Sequence, residues 1–334
     1  MMAGLIVLAS TGCKPQTDTR GADAKTYQRL QAMAINIADV MKATENQTGR
    51  LSAAVAAQYP KLAENAKTVD PSGYRLEPNG VLHRPDAVKL DVPAVFVSGA
   101  VKVDAKVMEA VCGTQAIDAD LMRIPKENPA VVQAYYNDKN SYNRIYPPFD
   151  VLPQYPPGMQ IPSYNFYYQA DASHNPRHRV VWVKDPYVDP AGRGWMISCI
   201  APVYQNDNLE GVCGLDITVE SIVRNFDFEG SNRMCLLAAA DGTVVATGET
   251  LIQILRLPAL KNHRYVDTVR SDTFRSEDYN MLKSRSLAIR TMAATLLING
   301  KSSAPLDLDE ENWVVHAVPV PELDWRLMEF VQRQ

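Results

Sequence analysis

The sequence is short of several things, and each shortage removes a class of function. Its 334 residues include five cysteines and no Cys-x-x-Cys pair, so a structural zinc site is not expected. Basic residues are in no surplus: 34 Lys and Arg against 38 Asp and Glu leave a net charge of −4, with nothing to spare for neutralising a nucleic-acid backbone. The cluster "RHR" at 177–179 reads as solvated loop charge. No apolar run approaches the roughly 20 residues that a membrane-spanning helix needs; "LAIRTMAATLLI" at 287–298 is interrupted by Arg290. A nucleophile elbow, a phosphate-binding glycine loop and a metalloprotease helix motif are all missing. His174 and His178 have i, i+4 spacing, but Pro176 between them disfavours the helix that a metal pair would need. Asp189 and Asp216 would make a hydrolytic acid–base pair only with further machinery, which the sequence does not carry. An enzyme is therefore not expected, nor a cofactor or a metal.

What is present is the composition of a globular protein with a full core, 46% hydrophobic and 22% charged. The N-terminus "MMAGLIVLASTGCKPQ" is a short apolar run ending in small residues, the pattern of an export signal. Its end, Ser10-Thr11-Gly12-Cys13, resembles the lipobox of bacterial lipoproteins, which implies lipidation of Cys13. Ser10 stands where Leu is usual and no Lys or Arg precedes the run; a plain secretory signal and an uncleaved anchor are the alternatives. Residues 1–24 are thus a signal and tether, and the expected location is extracytoplasmic, in the periplasm or at the cell surface, with the membrane reached through a lipid anchor only. Cys199 and Cys213 lie equidistant from the turn "QNDN" at 205–208, so a hairpin could oppose them. A cross-strand disulfide is one reading; the favoured one is free thiols, since both occupy apolar strand positions where a buried thiol packs as well as Val.

From Lys25 a helical pattern runs past residue 55, with Tyr27, Leu30, Ala34, Ile37, Met41, Leu51 and Val55 on one stripe and Pro60 as its stop. Residues 25–65 form this long helical unit. Turn residues fill 66–93; "AVFVSG" at 94–99 reads as a strand, and helices follow, closed by Pro129. "AVVQAYYND" at 130–138 reads as a strand and 142–165 as a loop rich in Pro and Tyr, before a short helix at "FYYQADAS". Strands are expected at 179–183, 194–204 and 210–218, with a helix at 219–226. A second unit holds a strand, an Asp-Gly turn and a strand over 233–248, helical segments over about 250–295, and two strands at 312–331. The expected fold class is α+β: a long N-terminal helix followed by two tandem PAS-like antiparallel-sheet subdomains, 66–226 and 227–334.

The segment "PYVDPAGRGWMISCIAPVYQNDNLEGVCGLDITVESI" at 186–222, with "LLAAADGTVVA" and "VVHAVPVPELDWRL" further on, resembles the double Cache family, the extracytoplasmic sensor modules of bacterial chemoreceptors and histidine kinases. The resemblance covers about 25–331 and implies a membrane-distal ligand-binding subdomain at 66–226 and a membrane-proximal one after it. In amino-acid-binding members, a Pro-Tyr-x-Asp turn and a Gly-x-Asp-Ile strand receive the ligand's ammonium. Tyr187, Asp189 and Asp216 stand at those positions. "FYYQA" matches the segment that handles the carboxylate, with Phe166 and Tyr167 in its two aromatic places and Tyr164 where the family has arginine. A bidentate arginine is the natural partner of a carboxylate, so its replacement shifts the expected ligand to a cationic amine or quaternary ammonium. Arg144 or Arg179 could restore amino-acid binding. Each site residue also has a plainer role: Asp189 braces its Asp-Pro turn, and the aromatic rings pack a core, as Tyr135, Tyr136, Tyr142 and Tyr146 are expected to do. The expected partners are a small-molecule ligand and a separate membrane receptor, kinase or transporter. A scaffold with a vestigial pocket and an exported hydrolase are the competing readings.

Overall fold

The computed structural model describes residues 19–183, 186–188, 195–229, 234–258, 276–309 and 311–333. It opens with α1, Thr19–Ala56, a helix of 38 residues. The stripe read from the sequence is the buried one: Leu30, Ala34, Ile37, Met41, Leu51 and Val55 are all at most 2% exposed. Thr44 and Thr48 fill the gap in that stripe, equally buried, and each donates its hydroxyl to the carbonyl four residues back. A polar group is thereby satisfied inside the core without breaking the helix.

Two antiparallel sheets follow. The first contains, among the described residues, β1 (Arg75–Leu76), β2 (Leu82–His83), β3 (Ala94–Val97), β4 (Gln133–Asp138), β5 (Tyr142–Tyr146), β6 (Val181–Trp182), β7 (Tyr187–Val188), β8 (Trp195–Gln205) and β9 (Asn208–Thr218). They run in the order β1-β2-β3-β5-β4-β9-β8-β6, with β7 also paired to β8. The second contains β10 (Met234–Ala239), β11 (Val244–Thr247), β12 (Ser303–Leu308), β13 (Glu311–Val320) and β14 (Trp325–Gln332), in the order β11-β10-β14-β13-β12.

Two turns follow directly from their residues. Asn206 and Asp207, at φ 48° and 63°, join β8 to β9, and a two-residue hairpin of this hand needs residues that tolerate positive φ. A longer turn over residues 240–243 joins β10 to β11, with Gly242 at φ 91°.

Three sequence expectations are corrected. The stretch 66–93, read as turns, contains β1, β2 and the short helix Ala87–Leu90. The stretch 142–165 is not all loop, because Tyr142–Tyr146 forms β5 and pairs with both β3 and β4. Its alternation was hidden by apolar or aromatic residues flanking a buried arginine. Strand β12 was also not anticipated. The β8–β9 register places Cys199 opposite Leu215 and Cys213 opposite Ala201; Cys112, Cys199, Cys213 and Cys235 are free and buried.

The first sheet is covered on both faces. One face packs Ala134, Tyr136, Tyr142, Cys213 and Leu215 against the end of α1 and the helices Ala105–Gly113 and Asp118–Glu127. The other packs Phe96, Tyr135, Ile145 and Val212 under the segment 151–170. Lower down α1, Leu30, Ile37 and Met41 share a core with Trp195 and Ile217 of the first sheet and with Leu237, Val318 and Leu327 of the second. The helix therefore ties the two sheets together. No helix among the described residues is long and apolar enough to cross a membrane.

Candidate functional site

Strand alternation decides what the two faces of the first sheet carry. On β4, Ala134 and Tyr136 face the helices while Gln133, Tyr135 and Asn137 face the 151–170 segment. On β9, Cys213 and Leu215 face the helices, and Val212, Gly214 and Asp216 face the other way. Asn143 and Ile145 of β5 join that second face.

The result is a cavity whose sheet side is polar at several points. Gln133, Asn137, Asn143 and Asp216 line it and are at most 4% exposed. Its opposite wall is Tyr155, Met159, Ile161, Phe166 and Tyr187. Gly214 makes room for this arrangement: a Cβ there would lie 2.1 Å from Tyr135 Cζ and 2.2 Å from its hydroxyl oxygen.

Asp216 sits at one end of the cavity and is 2% exposed. Ser198, its direct neighbour across the β8–β9 ladder, donates its hydroxyl to Asp216 Oδ1 at 2.5 Å. The hydroxyls of Tyr187 and Ser198 are 2.6 Å apart. A serine hydroxyl has one proton, so with that proton committed to the carboxylate, Tyr187 is the donor to Ser198. The chain Tyr187→Ser198→Asp216 therefore concentrates acceptor character on the carboxylate. Tyr135 lies alongside, where burial first and then the negative charge of Asp216 raise its hydroxyl pKa well above normal.

Phe166 is the hub of the aromatic wall. Its ring is 5.4 Å from Tyr187, 6.3 Å from Tyr135 in an edge-on arrangement, and 5.2 Å from Tyr164, nearly parallel to it. Among the described residues lining the cavity, Asp216 is the one that carries a formal charge. The cavity holds about 20 Å³ of space for the centre of a water molecule, room for one ordered water.

Of the residues singled out from the sequence, Tyr187, Phe166 and Asp216 meet in this cavity. Tyr164 does not line it; it is half-buried, stacked behind Phe166. Tyr167 is buried in the adjoining core without lining the cavity. Asp189 and Cys13 lie outside the described residues. Arg144 is excluded as a carboxylate clamp, because it is fully buried on the helix side, where its guanidinium donates to Asp118, the hydroxyls of Tyr142 and Tyr74, and Val111 O. Arg179 is exposed, and its backbone N–H and carbonyl exchange hydrogen bonds with the Asn175 side-chain amide. Sequence reasoning missed Gln133, Asn137, Asn143 and Ser198. The available signal was period-2 polarity: "QAYYND" places Gln133, Tyr135 and Asn137 on one face of a strand.

The chain matches no protein-family model and no curated protein. Solved structures do match. The ligand-binding domain of the Pseudomonas fluorescens chemoreceptor CtaA, in complex with L-alanine, superposes with a TM-score of 0.54 over 94% of this chain and 98% of that one, at 13% identity. The ligand-binding domain of the Pseudomonas aeruginosa PAO1 amino acid chemoreceptor PctB, in complex with L-Arg, gives 0.54 over 94% and 96%, at 11% identity. The fold is that of a double Cache domain. In Cache terms, the cavity lies in the first of the two sheet units, and likeness at this identity speaks to the fold alone.

Proposed function

We propose that this double Cache protein is an extracytoplasmic small-molecule sensor, not an enzyme, and that its first sheet captures a cationic amine at Asp216. The reading is carried by one observation: a buried carboxylate, reinforced by a Tyr187–Ser198 hydroxyl chain, faces a cavity walled by aromatic rings. An ammonium taken out of water needs acceptors and an opposite charge, or several kcal/mol of desolvation go uncompensated. Asp216 supplies the charge, Tyr187 and Tyr135 the adjoining oxygens, and ring faces add about 0.5–2 kcal/mol of cation–π attraction. Asp189 is placed in the same ammonium site on the sequence motif alone. Tyr164 and Tyr167 are given supporting positions, one behind Phe166 and one in the core beside it.

An amino acid is the second reading, favoured by the L-alanine and L-Arg bound to the two structural neighbours. Against it, the described lining offers no Arg or Lys to receive a carboxylate. Either ligand is larger than the room for one water, so binding requires Met159, Ile161 and Phe166 to move away from the sheet; Met159 is the adaptable one of these.

The protein is assigned a separate membrane receptor, kinase or transporter as its signalling partner, with lipidated Cys13 holding it at the membrane. Mass spectrometry of the exported protein tests the anchor, and a mature chain starting elsewhere than at a modified Cys13 would refute it. A thermal-shift panel of alkylamines, quaternary ammonium compounds and amino acids tests the ligand class, because a ligand that binds only the folded state raises its melting temperature by mass action. Amines should shift the melting point and Asp216→Ala should abolish the shift. A shift from neutral or anionic compounds alone would reject the amine reading.

A further inference from the structure

The cavity has a second polar end, remote from Asp216. Asn137 and Asn143 face each other across the β4–β5 ladder, 2% and 4% exposed, and Asn143 Nδ2 donates to Asn137 Oδ1 at 2.8 Å. That bond uses the oxygen of Asn137. Its Nδ2 keeps two protons to donate, has no hydrogen-bond partner among the described residues and belongs to a side chain that lines the cavity. A donor that opens onto an otherwise apolar stretch of cavity is best matched by a group that accepts a hydrogen bond, so this position selects for an acceptor.

Gln133, opposite Asp216 in the ladder, is four residues from Asn137 on the same strand, about 13 Å. Hydrogen bonds of about 3 Å at each end leave about 7 Å between the two ligand atoms they hold. The wall between the ends is apolar, made by Ile145, Ile161 and Phe166. The described lining has no cation at the amide end, and a carboxylate buried there would have only neutral donors for compensation.

From this arrangement we infer that the site takes an elongated, two-ended ligand: a primary amine at Asp216, an apolar spacer of four or so methylenes, and a neutral acceptor such as an amide carbonyl at Asn137. The inference rests on the amine reading above and adds the far subsite to it.

Calorimetry on the whole protein with matched probes tests it. N-acetylputrescine and n-heptylamine have chains of equal length and differ in the amide, whose carbonyl is the acceptor. Aminocaproate carries a carboxylate instead, and putrescine a second amine. The expected result is about five- to tenfold tighter binding of N-acetylputrescine than of n-heptylamine, the worth of one net hydrogen bond, with aminocaproate weaker than both. Asn137→Leu should erase the advantage while n-heptylamine still binds. Asn137→Asp keeps the acceptor for Asn143 and replaces the free donor with a carboxylate, so it should turn the preference toward putrescine. The wild-type comparison stands even if a variant fails to fold. Equal affinities for N-acetylputrescine and n-heptylamine, tighter binding of aminocaproate, or an advantage that survives Asn137→Leu would each overturn the far subsite while leaving the amine reading intact. If none of the amines bound, the amine reading and the subsite would fall together.

Discussion

The two sheets of this protein are built alike and filled differently. On the face of the first sheet turned away from α1, the strands present Gln133, Asn137, Asn143, Ser198 and Asp216 together with apolar residues. The corresponding face of the second sheet presents Leu236, Ala238, Val315, Ala317, Met328 and Phe330, and the helix Leu287–Ala293 packs Ile289 and Met292 onto it. An apolar face can be closed by apolar side chains of the covering helix with no loss. A face carrying amides and a carboxylate cannot, because each polar group must keep a partner or an opening toward one. The difference between the closed face and the hollow one is therefore a matter of about five side chains on a shared scaffold.

The sharpest way to break this comparison is to put a carboxylate where the second sheet has none. Met328, 0% exposed in the centre of β14, changed to Asp, should cost about 4 kcal/mol or more. Chemical denaturation would measure it, and a loss below 1 kcal/mol would mean that the second face is not closed.

Next in size is Asp138, which shows that the first sheet buries acids on both faces. Burial pushes its pKa up to about 6, with the charge of Glu210 adding to the rise and backbone and side-chain bonds from Asn140 opposing it. The native state thus holds the proton more tightly than the unfolded chain. The stabilisation is complete below the unfolded value near 4 and is lost as pH climbs through 6, the reverse of an ordinary salt-bridged carboxylate. Relative to the wild type, Asp138→Asn should gain about 3 kcal/mol between pH 4 and pH 7. Parallel stability–pH curves for the two proteins would show that Asp138 titrates normally.

Gly214→Ala sets a Cβ against the Tyr135 ring and should cost about 2 kcal/mol from overpacking, while weakening amine binding because Tyr135 must shift. An unchanged melting temperature would show that the ring is free to move aside.

The smallest expected change is in the stability of the ligand-free Asp216→Asn protein, less than about 1 kcal/mol, since asparagine keeps an acceptor for Ser198 and removes a buried charge. The contrast with Met328→Asp is the point of the pair. A large loss at 216 would make Asp216 a structural brace and not a binding group.

Much of this was visible in the chain. The buried stripe of α1, the strand pairs flanking Asn206-Asp207 and Asp241-Gly242, and the burial of Asp216 follow from local rules: a 3.6-residue period, turn residues that tolerate positive φ, and a carboxylate among apolar neighbours. Strand β5 was obscured because Arg144 sits in its middle, and a charged residue there reads as solvent-facing until Asp118, Tyr74 and Val111 are seen to enclose it. Tyr164 and Tyr167 illustrate the same limit within the site. Tyr164 is the extended N-cap of the short helix Asn165–Tyr168, which leaves its ring stacked behind Phe166, while Tyr167, next to Phe166 on the helix, is turned into the adjoining core.

By itself, then, the sequence determined the long N-terminal helix, the strand pairs around the two turns and the family they resemble, because these depend on neighbours within a few positions. Only the tertiary structure decided that Asp216 shares a cavity with Asn137 and Asn143, that Arg144 does not, and that the matching face of the second sheet packs apolar side chains against the helix Leu287–Ala293. Those outcomes depend on which strands pair and in what register, and shifting a register by one residue exchanges every side chain between a filled face and a hollow one.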